Sequence, residues 1–193
     1  MIAIIKYNGG NVNSVQNALN RLNADSVVTD DFETIRNADK VIFPGVGEAS
    51  STMKLLKEKG LDELIPTLKQ PVLGICLGMQ LMCGRNEEGN TYGMGIFDIE
   101  VKKFPYYDLV PHMGWNTFRN EESPLFSGRK QWDDVYFVHS YYCELSDYTT
   151  SVCNYILPFS ASLQKDNFFA VQFHPEKSGA AGNEILMNFL KLS

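Results

Sequence analysis

The chain has 193 residues, 44% hydrophobic and 21% charged, with a formal net charge of −6. That is enough apolar material for one globular domain with a full core, so residues 1–193 are read as a single domain. No Lys/Arg run speaks for nucleic-acid binding, no apolar run approaches the ~18 residues of a membrane span, and residues 1–6 are too short and too abruptly ended for a secretory signal. The four cysteines, Cys76, Cys83, Cys143 and Cys153, contain no C-x-x-C pair. Their spacing suggests neither a zinc site nor a disulfide framework, and a reduced, cytoplasmic setting is expected.

Residues 2–6 read as a first buried strand, and residues 7–11 as a turn carrying Gly9 and Gly10. A helix follows, with Val12, Val15, Ala18, Leu19 and Leu22 near a 3.6-residue period and Asn11 or Asn13 as its cap. Residues 26–29 read as a strand, 31–37 as a polar crossover and 40–43 as a third strand that ends at Pro44-Gly45-Val46-Gly47. Helical material from 49 to 68 breaks at Gly60, and an apolar strand, 72–75, leads to Cys76. Strands alternating with helices in this way predict an α/β fold, with a largely parallel sheet covered on both faces. Ligands in such sheets gather at the carboxyl ends of the strands, where the three glycine-rich turns are placed on one rim. The second half reads as strands at 98–104, 135–138, 151–156, 161–164 and 168–173, a hairpin turn at Asp166-Asn167 and a final helix over 182–192. The change in style suggests a mixed sheet and not two domains.

Gly74-Ile75-Cys76-Leu77-Gly78 is the cysteine version of a nucleophile elbow, a strand turning sharply into a helix with a thiol at the apex. Small flanking residues allow the tight turn and admit a substrate near the sulfur. A buried cysteine at a strand end is the competing reading. A nucleophilic thiol needs a base, and the base an orienting group. His174 follows a strand end and is two residues before Glu176, across a stiffening Pro175. Glu176 reads alternatively as a surface charge. His139 and His112 compete as bases but lack so close an acid. The chemistry would be acyl transfer from an amide or ester to sulfur, then hydrolysis. Leu77 N–H and the Gly45-Val46-Gly47 loop are candidate oxyanion donors, the loop reading otherwise as an ordinary turn. A His174 that starts neutral predicts that activity falls below pH ~6.5.

Three motifs together, Gly74-Ile-Cys-Leu-Gly-Met-Gln80, Pro44-Gly-Val-Gly47 and His174-Pro-Glu176, resemble the class I (triad) glutamine amidotransferases. The resemblance implies a flavodoxin-like three-layer sandwich and a Cys-His-Glu triad that hydrolyses glutamine to glutamate and ammonia through a glutamyl thioester. Pro111-His-Met-Gly-Trp-Asn116, Phe137-Val-His-Ser-Tyr141, Gln172-Phe-His-Pro-Glu-Lys-Ser178 and Asn8-Gly-Gly-Asn11 narrow it. They are similar to the branch that serves as glutaminase subunit of imidazole glycerol phosphate synthases in histidine biosynthesis.

It implies Cys76 as nucleophile, His174 as base and acid, Glu176 as orienter, and Val46, Gly47 and Leu77 around the oxyanion. Gly47, Gln80, Ser140 and Tyr141 contact glutamine, and Asn11, Trp115 and Lys177 lie at the synthase interface. The similarity leaves no residues for a synthase domain, so the ammonia acceptor is expected on a separate (β/α)8-barrel cyclase in a heterodimer. That partner would make imidazole glycerol phosphate and an aminoimidazole carboxamide ribotide. No metal or cofactor is implied. Residues 111–116 read as a loop, on which Trp115 alone reads equally as a partly buried core residue. The alternatives are a glutaminase for the pyridoxal phosphate, GMP or anthranilate pathway, or a non-catalytic subunit on the same scaffold. Residues 87–92 match no signature, and many relatives carry Gly-x-Gly-Asn in the first turn.

Overall fold

A computed structural model of the chain describes residues 1–7, 11–106, 108–119, 123–128 and 134–193. Strands and helices alternate through the first half: β1 (Ile2–Ile5), α1 (Val12–Arg21), β2 (Ser26–Thr29), α2 (Phe32–Asn37), β3 (Lys40–Gly45), α3 (Ala49–Lys59), α4 (Leu61–Leu64), β4 (Val72–Cys76) and α5 (Leu77–Met82). The second half adds β5 (Cys83–Asn86), β6 (Thr91–Tyr92), β7 (Phe97–Lys103), β8 (His112–Asn116), β9 (Phe118–Arg119), β10 (Val135–His139), β11 (Tyr141–Cys143), β12 (Thr149–Asn154), β13 (Pro158–Lys165), β14 (Phe168–Val171) and α6 (Gly179–Lys191).

The central sheet runs β2-β1-β3-β4-β14-β13-β12-β9. Its first five strands are mutually parallel and its last three antiparallel. Period-2 alternation distributes the core between two faces. Ala3, Ile5, Val41 and Phe43 pack with residues of α3 and α5, whereas Ile2, Ile4, Ile42 and Ile75 pack with α1 and α6. The parallel strands are therefore buried on both sides, which is why they read as continuous apolar runs. Among the described residues no helix is long and apolar enough to cross a membrane.

Several local expectations are corrected. Residues 32–37 form α2, because the Asp31 carboxylate accepts from Thr34 N at 2.8 Å and caps it. Asn11 stands at the N-cap of α1, but neither of the expected caps closes the helix by a side chain. Asn11 instead accepts from the Ser14 hydroxyl. Residues 112–116 are strand β8, paired antiparallel with β10. The Asp166-Asn167 turn does join antiparallel strands, with Asp166 at φ 51, and Gly60 breaks the helix at φ 68. The glycine turn at residues 8–10 lies outside the described residues. The other two meet at one rim, since Gly45 of β3 registers with Cys76 of β4.

Candidate active site

Cys76 ends β4 with φ 55 and ψ −110, a conformation that side-chain-bearing residues rarely adopt. Such strain costs on the order of 1–3 kcal/mol and persists where the surroundings enforce it. Here α5 begins at the very next residue and packs so closely on β3 that a Cβ on Gly78 would lie 2.0 Å from the Phe43 carbonyl oxygen. The elbow glycines thus serve strand-to-helix contact, and Gly78 makes no opening for substrate. A cavity of about 320 Å³ opens beside the thiol, bordered by Val46, Gly47, Leu77, Gln80 and the turn after β10.

His174 follows β14 and is held by its backbone N–H, which donates to the Tyr136 carbonyl at 2.9 Å. Pro175 then starts a tight turn that returns Glu176 to the imidazole. Nδ1 of His174 is 2.8 Å from Glu176 Oε1, with both side chains almost fully buried. Asn11 Nδ2 donates to the same oxygen at 3.3 Å. Glu176 is therefore no surface charge. His174 Nε2 is buried and has no hydrogen bond of ordinary geometry. Burial acts against the imidazolium more than any other single influence. The charge at Cys76, contact with it and the Glu176 carboxylate together overcome burial and raise His174 to about 10. This corrects the expectation of a His174 titration near ~6.5, the value of an unperturbed imidazole.

The structure brings the expected glutamine contacts together. Gly47, Gln80, Ser140 and Tyr141 all border the cavity. Gly47 has φ 106, in the left-handed region that favours glycine. Gln80 donates both amide protons within the protein, to Tyr141 O and to Gln172 Oε1, each at 3.0 Å. What it offers a ligand is its oxygen. Val46 is 38% exposed at the rim, and Leu77 opens α5, where backbone N–H groups lack helical partners.

Two further residues belong to this site. Gln172 is fully buried and donates from Nε2 to Cys76 Sγ at 3.6 Å. The sequence offered one signal, its place two residues before His174. Glu88 is the one carboxylate among the described lining residues. Burial holds it above the ordinary carboxylate range, although Ala49 N donates to it at 2.8 Å. It sits on an irregular turn, and nothing in its spacing marked it.

The three expected interface residues lie outside the cavity, at the same end of the molecule. Along β8, Met113 and Trp115 are 59% and 57% exposed, so Trp115 is not a core residue. Its ring meets Tyr136 edge-on at 5.9 Å, and Lys177 Nζ lies 5.9 Å from the same Tyr136 ring. Asn11 joins this end through Glu176. The other two histidines are not alternative bases. His139 also borders the cavity, but both are bonded to one another.

The family model for glutamine amidotransferase class-I matches residues 3–192. A curated relative from Bacteroides fragilis, the imidazole glycerol phosphate synthase subunit HisH, is 58% identical over 99% of both chains. The protein of the same name from Escherichia coli K12 is 44% identical, again over 99% of both. Among solved structures, a putative GMP synthase component from Thermoplasma acidophilum matches with TM-score 0.76 at 19% identity, covering 98% of this chain and 91% of that one. A structure described as a glutamine amidotransferase matches with TM-score 0.75 at 17% identity, covering 99% and 98%. At those identities the structural likeness speaks for the fold alone.

Proposed function

The chain belongs to the glutamine amidotransferase class-I family, and on that premise we propose that it is the glutaminase subunit of an imidazole glycerol phosphate synthase, built as one amidotransferase domain. The observation that carries this reading is the strained Cys76 beside a buried His174–Glu176 pair, at a cavity of amino-acid size. The identity of 44–58% to HisH subunits favours this synthase over those for pyridoxal phosphate, GMP or anthranilate.

Glutamine enters with its side-chain amide at Cys76. Ser140, Tyr141, Gly47 and the Gln80 oxygen hold it, and Glu88 faces its ammonium group. The thiolate attacks the amide carbon, forming a C–S bond and an oxyanion. Leu77 N–H and the Val46–Gly47 peptide stabilise that charge. His174 Nε2 gives its proton to the leaving nitrogen, the C–N bond breaks, ammonia departs and a thioester remains. The now neutral imidazole takes a proton from water as the water attacks the thioester. Glutamate leaves, and thiolate and imidazolium are restored. Glu176 and Asn11 keep the ring aligned throughout.

The ammonia passes to a separate cyclase, a (β/α)8 barrel docked in a heterodimer on the face with Trp115, Lys177 and Asn11. Exposed Met113 and Trp115 above Tyr136 suit such docking, because aromatic anchors dominate interface energies. The complex works in the cytoplasm. In a test, the protein alone hydrolyses glutamine slowly and speeds up with the cyclase and its nucleotide ligand. Recovery of a different synthase in a pull-down, with no barrel cyclase, contradicts the pathway assignment.

A further inference from the structure

A second run of hydrogen bonds reaches the cavity without taking part in any step above. His112 and His139 form the last pair of the β8–β10 ladder. Both are buried, and His112 Nδ1 lies 3.0 Å from His139 Nε2. His139 Nδ1 is 2.7 Å from the Tyr141 carbonyl oxygen. At the other end, His112 Nε2 is 3.3 Å from Asn116 Nδ2, which also donates to Asn154 O at 3.1 Å.

The chemistry of the partners sets every proton. A carbonyl only accepts, so His139 Nδ1 carries hydrogen. In a neutral ring His139 Nε2 then accepts, and His112 Nδ1 must donate to it. His112 Nε2 is left to accept from the Asn116 amide. A charged ring at either position would set N–H against N–H. The surroundings agree. His112 is stacked against Phe137 at 4.8 Å and Tyr155 at 4.1 Å, and Phe104 and Phe159 flank His139. Burial pushes His112 down to about 4. Burial also brings His139 to about 3, against a smaller upward pull from the Tyr141 carbonyl and with His112 and His174 adding to the fall.

The relay ends on a hub. The Tyr141 carbonyl takes His139 at 2.7 Å and Gln80 at 3.0 Å. Gln80 bonds Gln172, which donates to the Cys76 sulfur. We propose that Asn116, His112 and His139 form a neutral positioning relay that fixes the Ser140–Tyr141 wall of the glutamine cavity and ties it to the β8–β10 strand pair carrying Trp115. The proposal rests on the glutaminase reading. Neither ring meets the reacting atoms, so loosening the wall weakens glutamine binding more than it slows the bond-breaking steps.

The test uses the full-length chain. Glutamine Kd is measured in a Cys76→Ala background, where no turnover intervenes. His112→Phe and His139→Phe keep the aromatic packing and remove the bonds. Each raises Kd about tenfold, the cost of leaving one buried polar group unpaired. The double variant raises it no further, since either break opens the same relay. In the active complex with the cyclase, KM rises while kcat changes less. A purely structural role would lower the melting temperature and leave Kd in place. Nitrogen-15 spectra of the unaltered protein at pH 7 show both rings neutral with hydrogen on Nδ1. Unchanged Kd in the folded variants, additive effects in the double variant, or hydrogen on Nε2 of either ring overturns the relay. Where the phenylalanine variants do not fold, the tautomers decide. Failure of the Cys76→Ala protein to bind glutamine overturns the glutaminase reading and the relay's role with it. Binding that the phenylalanine variants leave unchanged overturns the relay alone.

Discussion

His174 and the His112–His139 pair are equally hidden from solvent yet lie at opposite ends of the imidazole range. His174 is raised to about 10, while His112 and His139 fall to about 4 and about 3. Burial disfavours the charged ring in all three. What differs is the company. His174 has a carboxylate on Nδ1 and the nucleophilic sulfur within electrostatic reach. His139 has a carbonyl on one nitrogen and another imidazole on the other. The first arrangement stores a proton for a leaving group. The second cannot hold an extra proton without breaking its own bonds, so it is suited to position and unsuited to proton transfer. The motif His-Pro-Glu therefore does more than place a base: its carboxylate adds to the larger influence of Cys76 in keeping a buried ring charged.

The largest way to break this contrast is Cys76→Ala. Glutamine hydrolysis by the complex falls about 10⁴-fold or more, as for other nucleophile deletions, and the His174 titration moves down from about 10 because the influence of the sulfur is gone. An unmoved titration in an NMR series would show that Cys76 is not what raises it. Glu176→Gln comes next. It keeps the shape, removes the countercharge and lowers kcat by about 10²–10⁴-fold with glutamine binding nearly unchanged. Steady-state kinetics beside direct binding separate the two effects. Gln172→Leu removes a neutral donor to the sulfur, and kcat/KM falls about tenfold. A wild-type rate there would remove Gln172 from the site.

The smallest effect is on stability, and its sign differs between the two sets. His174 has its folded value above the unfolded one near ~6.5, so its contribution is full below that value and lost as pH rises towards 10. His112 and His139 are depressed, so theirs is present above ~6.5 and lost as pH falls through 4 and 3. Denaturant midpoints across pH 3 to 10 should show Cys76→Ala flattening the alkaline limb and His139→Phe the acid limb. The same limb flattened by both variants would dissolve the distinction.

Much of the fold was legible because the parallel strands carry their signal in composition. Residues 72–76 are apolar since both faces of β4 are covered, and the glycines at 74 and 78 mark the elbow in any context. His174, Pro175 and Glu176 are adjacent in sequence, so their geometry is nearly local. Features that depend on distant pairing were not legible. Strand β8 reads as loop because Pro111 and Gly114 obscure an alternation visible only beside β10. Asn11 shows as a helix cap, and only the packing of α1 against the turn after His174 sends its amide to Glu176. Glu88 reaches the cavity from a short polar turn. The His112–His139 bond joins residues far apart in the chain, and neither residue carries a local sign of it.

The most direct measurement is glutamate release from glutamine by the purified chain, alone and with the cyclase and its nucleotide ligand, beside Cys76→Ala. Release is slow for the chain alone, rises clearly in the complex and stays at background in the variant. Equal release by Cys76→Ala, or no release in the complex, contradicts the glutaminase reading.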